Sequence, residues 1–344
     1  MERIHGGDWA AYALEHGALP LDFSASLSPL GMPERVYQAA VEAMRDAERY
    51  PDPNCRRLRM ALSERHGVDP AQIVCGAGAA DLIDRLARLL QPKRALIPAP
   101  TFSEYERSLR SVGCKVERFP LTADFHLPAA FPDAITPETD AVFLCNPNNP
   151  TGLLTEPALL RQCAERGAAL IVDECFLDLT EDPGRYSLVS SLRDHPNLII
   201  LRAFTKTFAM AGLRLGYALC GSAETAQALQ DIGQPWPVSV PAEAAGIAAL
   251  QEQDYENEVR AFLRAERGRM FRALSGMGFR VLPGEANYLL FCSADTDLAK
   301  KLRRKGILLR DCRDFPGLCP GWYRTAIRKP EENDQLLQAL REVE

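Results

Sequence analysis

Short runs of apolar residues alternate along most of the chain with longer segments whose apolar residues recur at helical spacing. Continuously apolar runs predict strands that are buried on both faces, and the amphipathic segments between them predict helices that cover those faces. The pattern therefore predicts a mostly parallel sheet flanked by helices. Its candidate strands are residues 72–75, 94–97, 141–145, 169–172, 198–201 and 217–220, and its clearest helices are residues 81–90 and 155–165.

The pattern changes near residue 250, where a long polar helical segment replaces the regular alternation. Shorter strands and helices follow it, which is typical of a smaller α+β domain. We expect a large domain at residues 45–250, a small C-terminal domain at 251–344, and an N-terminal segment at 1–44 that packs with the small domain. The elements expected beyond residue 250 are helices at 254–277, 297–305 and 331–343 and strands at 279–282, 288–291 and 307–310.

Composition narrows the possible functions. The chain has 344 residues, of which 47% are hydrophobic and 25% charged, so extended disorder is excluded. The net charge of −6 offers no basic surface for nucleic acid. No apolar stretch reaches the roughly 18 residues of a membrane span, and the N-terminus lacks the apolar segment of a signal peptide. We expect no nucleic-acid partner and no membrane partner.

Ten cysteines are present, and none of them forms a C-x-x-C pair. Most lie inside apolar runs, as Cys145 does, which indicates reduced and buried thiols in a cytoplasmic protein. No pair of His or Cys residues has the spacing of metal ligands, so we expect no metal site.

Polar motifs follow several predicted strands, at the sheet edge where ligands of open α/β folds bind. Gly76-Ala77-Gly78 opens a helix, whose free N–H groups attract an anion, and Asn149 lies in a rigid turn between prolines. Asp173 ends an apolar run, where a carboxylate needs a cation or a donor. Each motif alone is equally consistent with a plain turn or a helix cap.

Two cationic residues follow in the next segments of the chain. Lys206 stands between two aromatic residues just beyond a predicted strand, and Arg214 comes eight residues later. A lysine in a partly apolar site has a lowered pKa and attacks carbonyl carbons, whereas an exposed loop lysine has no such role.

The order of these motifs matches the groups of pyridoxal phosphate (PLP). The helix start and Arg214 suit its phosphate, and Asn149 suits its phenolic oxygen. Asp173 suits its ring nitrogen, and Lys206 suits its aldehyde. The sequence therefore predicts pyridoxal 5′-phosphate as the cofactor.

Four segments carry a resemblance to a known family. The chain resembles the fold-type I PLP enzymes of the aspartate aminotransferase superfamily in Asn149-Pro150-Thr151-Gly152, Asp173-Glu174, Thr205-Lys206 and Gly212-Leu213-Arg214-Leu215-Gly216-Tyr217. This resemblance implies a large domain with a mostly parallel seven-stranded sheet flanked by helices, and a small α+β C-terminal domain. It also implies a homodimer with shared active sites.

Two branches of that superfamily are similar to the chain. Blocks such as His5-Gly6-Gly7 and Phe315-Pro316-Gly317-Leu318 resemble the threonine-phosphate decarboxylases of cobalamin biosynthesis. Phe176 agrees, because aminotransferases of this group usually carry a tyrosine three residues after the aspartate. The implied reaction is PLP-dependent decarboxylation of L-threonine O-3-phosphate to (R)-1-amino-2-propanol O-2-phosphate. The alternative is a histidinol-phosphate aminotransferase or a related class I/II aminotransferase.

The resemblance also implies a role for individual residues. Lys206 is expected to bind the cofactor covalently and to move protons, and Asp173 to keep the ring nitrogen protonated. The other expected cofactor contacts are Asn149 at the ring oxygen and Phe102 stacked on the ring. At the phosphate, the expected contacts are Ala79, Ala80, Thr205 and Arg214 of the same chain, and Tyr50 of the partner subunit. The expected contacts to a phosphorylated amino acid substrate are His5, Asn149, Asn287, Arg310 and Arg324.

Overall fold

The computed structural model describes residues 5–343, which form two main sheets and the helices around them. The strands are β1 (Leu21–Asp22), β2 (Ile73–Gly76), β3 (Arg94–Ala99), β4 (Lys115–Pro120), β5 (Ala141–Cys145), β6 (Ala169–Asp173), β7 (Leu198–Ala203), β8 (Gly216–Cys220), β9 (Arg280–Val281), β10 (Tyr288–Cys292), β11 (Ile307–Leu308), β12 (Arg310–Asp311) and β13 (Trp322–Ala326). The α-helices are α1 (Trp9–His16), α2 (Glu34–Ala43), α3 (Arg56–His66), α4 (Ala79–Leu90), α5 (Ser103–Ser111), α6 (Pro157–Ala164), α7 (Pro183–Tyr186), α8 (Phe204–Thr207), α9 (Ala223–Asp231), α10 (Val240–Ala249), α11 (Gln253–Gly276), α12 (Leu298–Arg304) and α13 (Pro330–Val343).

The larger sheet has seven strands in the order β2-β8-β7-β6-β5-β3-β4. The pairs from β7 to β4 are parallel, and β8 runs antiparallel to both of its neighbours. The predicted fold class, a mostly parallel seven-stranded sheet flanked by helices, is confirmed.

Alternate residues of the central strands pack on opposite faces of this sheet. Val172 and Leu144 belong to one buried cluster, whereas Ile171 and Phe143 belong to another. Because successive side chains of a strand point to opposite faces, a strand covered on both sides needs apolar residues at every position. This requirement explains the continuous apolar runs in the sequence.

The apolar runs in the sequence did not predict the edge strand β4. It lies at the edge of the sheet and pairs on one side only. Its sequence mixes charged and apolar residues, and its side chains are exposed or half-buried. The strand therefore lacks the apolar run that marks a central strand.

The C-terminal sheet is antiparallel in the order β12-β13-β10-β9. The N-terminal segment contributes β1, which pairs in parallel with β11, whereas α2 of the same segment packs against α10. The N-terminal segment therefore contacts both parts of the molecule, and the expected domain limits stay a prediction. Within residues 5–343, no helix is both long and apolar enough to cross a membrane.

Candidate active site

A cavity of about 400 Å³ lies beyond the carboxyl ends of β5, β6 and β7. It unites residues that are far apart in sequence, from the N-terminal segment to β13. The predicted site residues that line it are His5, Ala79, Ala80, Phe102, Asn149, Asp173, Thr205, Lys206, Arg214, Arg310 and Arg324.

One end of the cavity is built to hold an anion. Gly78, at φ +86°, precedes α4 and offers no side-chain cap, so the first N–H groups of that helix stay free. A Cβ on Gly78 would lie 2.8 Å from Nη2 of Arg214, so the glycine lets the guanidinium approach the turn. Arg214 itself adopts a left-handed backbone at φ +58°. A helix start and a guanidinium converge here, as phosphate binding requires.

Lys206 lies in the short helix α8, directly after β7, and its side chain lines the cavity. Burial, helped by the positive charge of Arg324, lowers the pKa of Lys206 from 10.5 to about 8. Its Nζ lies 5.2 Å from the centre of the Phe176 ring. A substantial fraction of this amine is therefore neutral near pH 8 and able to attack an aldehyde.

Asp173 ends β6 and is held by two donors. Its Oδ1 accepts from the N–H of Cys175 at 2.9 Å, and its Oδ2 accepts from the hydroxyl of Tyr105 at 2.6 Å. Burial raises the pKa of Tyr105 well above its usual value, so the phenol stays protonated and donates to the carboxylate. These contacts fix the Asp173 carboxylate while leaving acceptor capacity for a ring nitrogen.

Arg324 and Asn149 orient each other. Nη1 of Arg324 donates to Oδ1 of Asn149 at 2.5 Å, and Nη2 donates to the carbonyl oxygen of Ser24 at 3.0 Å. Because the Asn149 oxygen is occupied by a donor, its amide NH₂ is available to donate to a ligand oxygen. Burial lowers the pKa of Arg324 below its usual value.

Arg310 and His5 also stand on the cavity wall. Arg310 donates to Oδ2 of Asp314 at 2.7 Å. His5 donates to Oε1 of Glu104 at 3.0 Å, and this hydrogen bond lowers the pKa of Glu104 to about 2. His5 is 43% exposed in its side chain and so stands at the cavity mouth.

Two predicted site residues lie outside the cavity lining. Asn287 precedes β10 and is fully buried, with no hydrogen-bond partner for either amide atom among the described residues. Its expected contact to the substrate stays a prediction. Tyr50 is 79% exposed and stacks on Trp236 with ring centroids 4.3 Å apart. Its expected contact would be made in a second subunit, so it stays a prediction.

Sequence reasoning missed several residues of the site. Tyr105 could have been suspected only from the helical spacing that places it one turn after Phe102. Ser24 contributes a backbone oxygen, for which a sequence carries no signal. Phe315 and the thiols of Cys145 and Cys175 line the cavity through long-range packing.

The residues present fit pyridoxal phosphate. The uncapped start of α4 with Arg214 suits the phosphate, and the glycine at position 78 supplies the close approach that this contact needs. Asp173 and the donor group of Asn149 suit the ring nitrogen and the ring oxygen. Lys206, a buried amine with a lowered pKa, suits the aldehyde.

Comparisons with known proteins agree with this site. The model of the family "Aminotransferase class I and II" matches residues 20–340. The chain belongs to this family. It is 41% identical to a threonine-phosphate decarboxylase from Salmonella typhimurium, over 98% of this chain and 96% of that protein. It is 34% identical to histidinol-phosphate aminotransferase 2 from Archaeoglobus fulgidus, over 95% of this chain and 96% of that protein.

A solved structure supports the cofactor. The histidinol-phosphate aminotransferase from Sinorhizobium meliloti in complex with pyridoxal-5′-phosphate superposes with a TM-score of 0.88 and 25% identity, over 100% of this chain and 96% of that one. The chain is thus a PLP-dependent enzyme with the fold of the aspartate aminotransferases. The predictions of family, fold and cofactor are confirmed.

Proposed function

We propose that this enzyme decarboxylates L-threonine O-3-phosphate to (R)-1-amino-2-propanol O-2-phosphate, a step of cobalamin biosynthesis. The observation that carries the proposal is the pair of guanidinium groups, Arg310 and Arg324, on one wall of the cavity. The substrate carries a carboxylate and a phosphate, and two anions in a small pocket need two fixed cations. The similarity to a threonine-phosphate decarboxylase over nearly the full chain supports the same conclusion.

The two guanidinium groups differ in position. Arg324 contacts Asn149, and its charge contributes to the lowered pKa of Lys206, so it stands near the reacting centre. Arg310 stands beside Phe315, with its Cζ 5.0 Å from the ring centre. We therefore assign the substrate carboxylate to Arg324 and the phosphate to Arg310.

Phe176 favours decarboxylation over transamination. Its ring lies against Lys206 and packs edge-on against Tyr288, with centroids 5.1 Å apart. A phenylalanine cannot donate a hydrogen bond to the cofactor's ring oxygen, so that task falls to Asn149. Histidinol-phosphate aminotransferases of 32–35% identity over most of the chain keep transamination as the second candidate.

The chain's own residues have defined tasks in this reaction. When bound, pyridoxal phosphate supplies an electron-withdrawing ring that stabilises negative charge at the substrate's Cα. Arg324 would bind the substrate carboxylate and fix its orientation. Asp173, fixed by Tyr105, holds a proton at the ring nitrogen. Lys206 delivers a proton from Nζ to Cα after carbon dioxide has left.

A direct assay tests the proposal. Purified holoenzyme is incubated with threonine phosphate, and carbon dioxide and the amino-alcohol phosphate are measured, with Lys206→Ala protein as the control. We expect stoichiometric release of both products. The enzyme would instead be an aminotransferase if it converted histidinol phosphate to a keto product in the presence of 2-oxoglutarate and released no carbon dioxide from threonine phosphate.

We also propose a homodimer in which Tyr50 of each subunit reaches the partner's cofactor phosphate. Tyr37, Val41 and Met44 lie one helical turn apart and are each about half exposed, and the stacked side chains of Tyr50 and Trp236 are exposed as well. A group of exposed large apolar side chains is typical of a contact surface between proteins. Sedimentation of the holoenzyme should give twice the 38.0 kDa mass of the chain. A monomer that is fully active would refute the proposal.

We further propose that the protein is cytoplasmic. All ten cysteines are unpaired, and eight of them are buried. Reduced, buried thiols are typical of a reducing compartment. Cell fractionation that followed this chain with a cytoplasmic marker would test the proposal, and recovery in an oxidising compartment would refute it.

A further inference from the structure

The two guanidinium groups of the cavity wall are direct neighbours. Arg310 of β12 pairs with Arg324 of β13 in antiparallel register, so their side chains share one face of the sheet. Both residues are nearly buried, at 5% and 7% exposure. Like charges at directly opposite positions repel each other, and a buried charge needs compensation.

The positive charges of Arg310 and Arg324 are compensated unequally. Nη2 of Arg310 donates to the Asp314 carboxylate at 2.7 Å. Arg324 donates to an amide oxygen of Asn149 and a carbonyl oxygen of Ser24, which are neutral acceptors. In the part of the chain that the structure describes, Arg310 thus has an ionic partner, whereas Arg324 has hydrogen bonds to neutral groups.

Arg310 keeps donors for a ligand despite this ion pair. A guanidinium has five N–H groups, of which one contacts Asp314 and one contacts the carbonyl oxygen of Asp311. The ring of Phe315 lies beneath it, 5.0 Å from Cζ. Because two other contacts also fix Arg310, the carboxylate charge of Asp314 is separable from the position of the guanidinium.

Asp314 itself stands at the rim of the site. Its side chain is 26% exposed and borders a second cavity, of about 710 Å³, that shares His5 and Phe102 with the first. An asparagine at this position would remove the charge, keep an oxygen acceptor for Arg310 and create no void in the core.

We propose that Asp314 is a specificity-determining residue, whose carboxylate weakens the binding of single small anions and makes tight binding depend on a ligand with two anionic groups. A free phosphate near Arg310 meets the negative charge of Asp314 as well as the guanidinium. A ligand that also places a carboxylate on Arg324 gains the second contact at high effective concentration and overcomes this repulsion. The inference deepens the proposed function and rests on it for the identity of the two-anion ligand.

Anion titrations of the holoenzyme test this inference. Inorganic phosphate is titrated by calorimetry into wild-type, Asp314→Asn and Asp311→Asn protein. Asp311 is a matched control, because its carboxylate pairs with Arg313 at 2.7 Å and its side chain points to the other face of the strand. We expect Asp314→Asn to bind phosphate about tenfold more tightly and Asp311→Asn to change by less than about twofold.

The charge of the probe gives a second readout. Acetate carries one negative charge, whereas phosphate carries up to two. The increase in acetate affinity caused by Asp314→Asn should therefore be about half as large on a logarithmic scale, roughly threefold. Phosphate should also become a stronger competitive inhibitor of this variant. If Asp314→Asn does not retain the cofactor, Asp314→Ser keeps a hydroxyl acceptor without the charge and carries the same expectation.

Unchanged or weaker phosphate binding in the Asp314 variant overturns the proposal, as does an equal change in the Asp311 variant. Failure of the proposed function is distinguishable. In that case the wild-type enzyme releases no carbon dioxide from threonine phosphate, yet removal of the Asp314 charge still tightens phosphate binding.

Discussion

Arg324→Ala should leave the cofactor in place and remove most of the turnover. Arg324 is 7% exposed and donates to Asn149 and Ser24, whereas the cofactor's phosphate, ring nitrogen and aldehyde are assigned to other residues. The substitution therefore removes the cation proposed for the substrate carboxylate and the donor that orients Asn149. The residues assigned to the cofactor's phosphate, ring nitrogen and aldehyde stay in place.

The size of the effect follows from burial. Truncating one partner of a buried, hydrogen-bonded charge pair costs about 2–5 kcal/mol, which corresponds to a loss of roughly 30-fold to several thousandfold in kcat/KM. The lower part of the range applies if water enters the space and solvates the substrate carboxylate. Arg324→Lys should fall between the wild type and the alanine variant, because an ammonium restores the charge without bidentate geometry.

The assay is steady-state carbon dioxide release from threonine phosphate, with absorbance spectra and cofactor content measured on the same samples. Arg328→Ala is a suitable control. This arginine follows β13 but donates to the carbonyl oxygen of Asp22 and to Glu332, outside the cavity lining. We expect the control to keep kcat/KM within a few-fold of the wild type.

Two results would refute this reasoning. A colourless Arg324→Ala protein would show that the residue holds the cofactor. A coloured variant with unchanged kcat/KM would show that the substrate carboxylate binds elsewhere.

Three further predictions concern the cofactor and the dimer. Borohydride treatment of the holoenzyme should attach the cofactor to Lys206 in peptide maps, and a label on another lysine would refute the assignment. Because the neutral amine predominates above a pKa of about 8, the apoenzyme should capture the cofactor faster as pH rises through 8. Tyr105→Phe removes a hydrogen bond to a charged group, worth about 1.5–3 kcal/mol, and should shift the pH at which the holoenzyme spectrum changes, whereas an unmoved spectral titration would make Tyr105 purely structural. Mixing inactive Lys206→Ala and Tyr50→Ala proteins under subunit exchange should restore part of the activity, and no recovery despite proven exchange would count against the shared site.

Much of the fold could be predicted because burial on both faces leaves a plain mark on a sequence. The candidate strand at 141–145 has the limits of β5, and the candidate at 169–172 ends one residue before β6 does. The strand β13 was not predicted, although Trp322 and the residues that follow it are buried, because two of its five positions are occupied by Arg324 and Thr325. Arg324 lines the cavity rather than the core, so the apolar pattern is interrupted there.

The candidate site was predictable where one motif supplies one contact. Asp173 ends β6 and Lys206 follows β7, so their convergence follows from parallel topology. Arg214 precedes β8, whose first residue pairs with the last residue of β7, so it reaches the same edge of the sheet. Contacts between residues that are distant in sequence have no motif that predicts them. The partner of Asp173 is Tyr105, 68 residues earlier, and neither residue type reveals that pairing.

The hydrogen bond from Arg324 to Ser24 has a consequence for synthesis of the protein. It joins residues 300 positions apart, and Arg324 lies in β13. Nascent chains fold from the N-terminus onward, so the seven-stranded sheet, complete at residue 220, is available well before the ribosome has made β13. Every residue that we assign to the cofactor is therefore synthesised before Arg324, the residue that we assign to the substrate carboxylate.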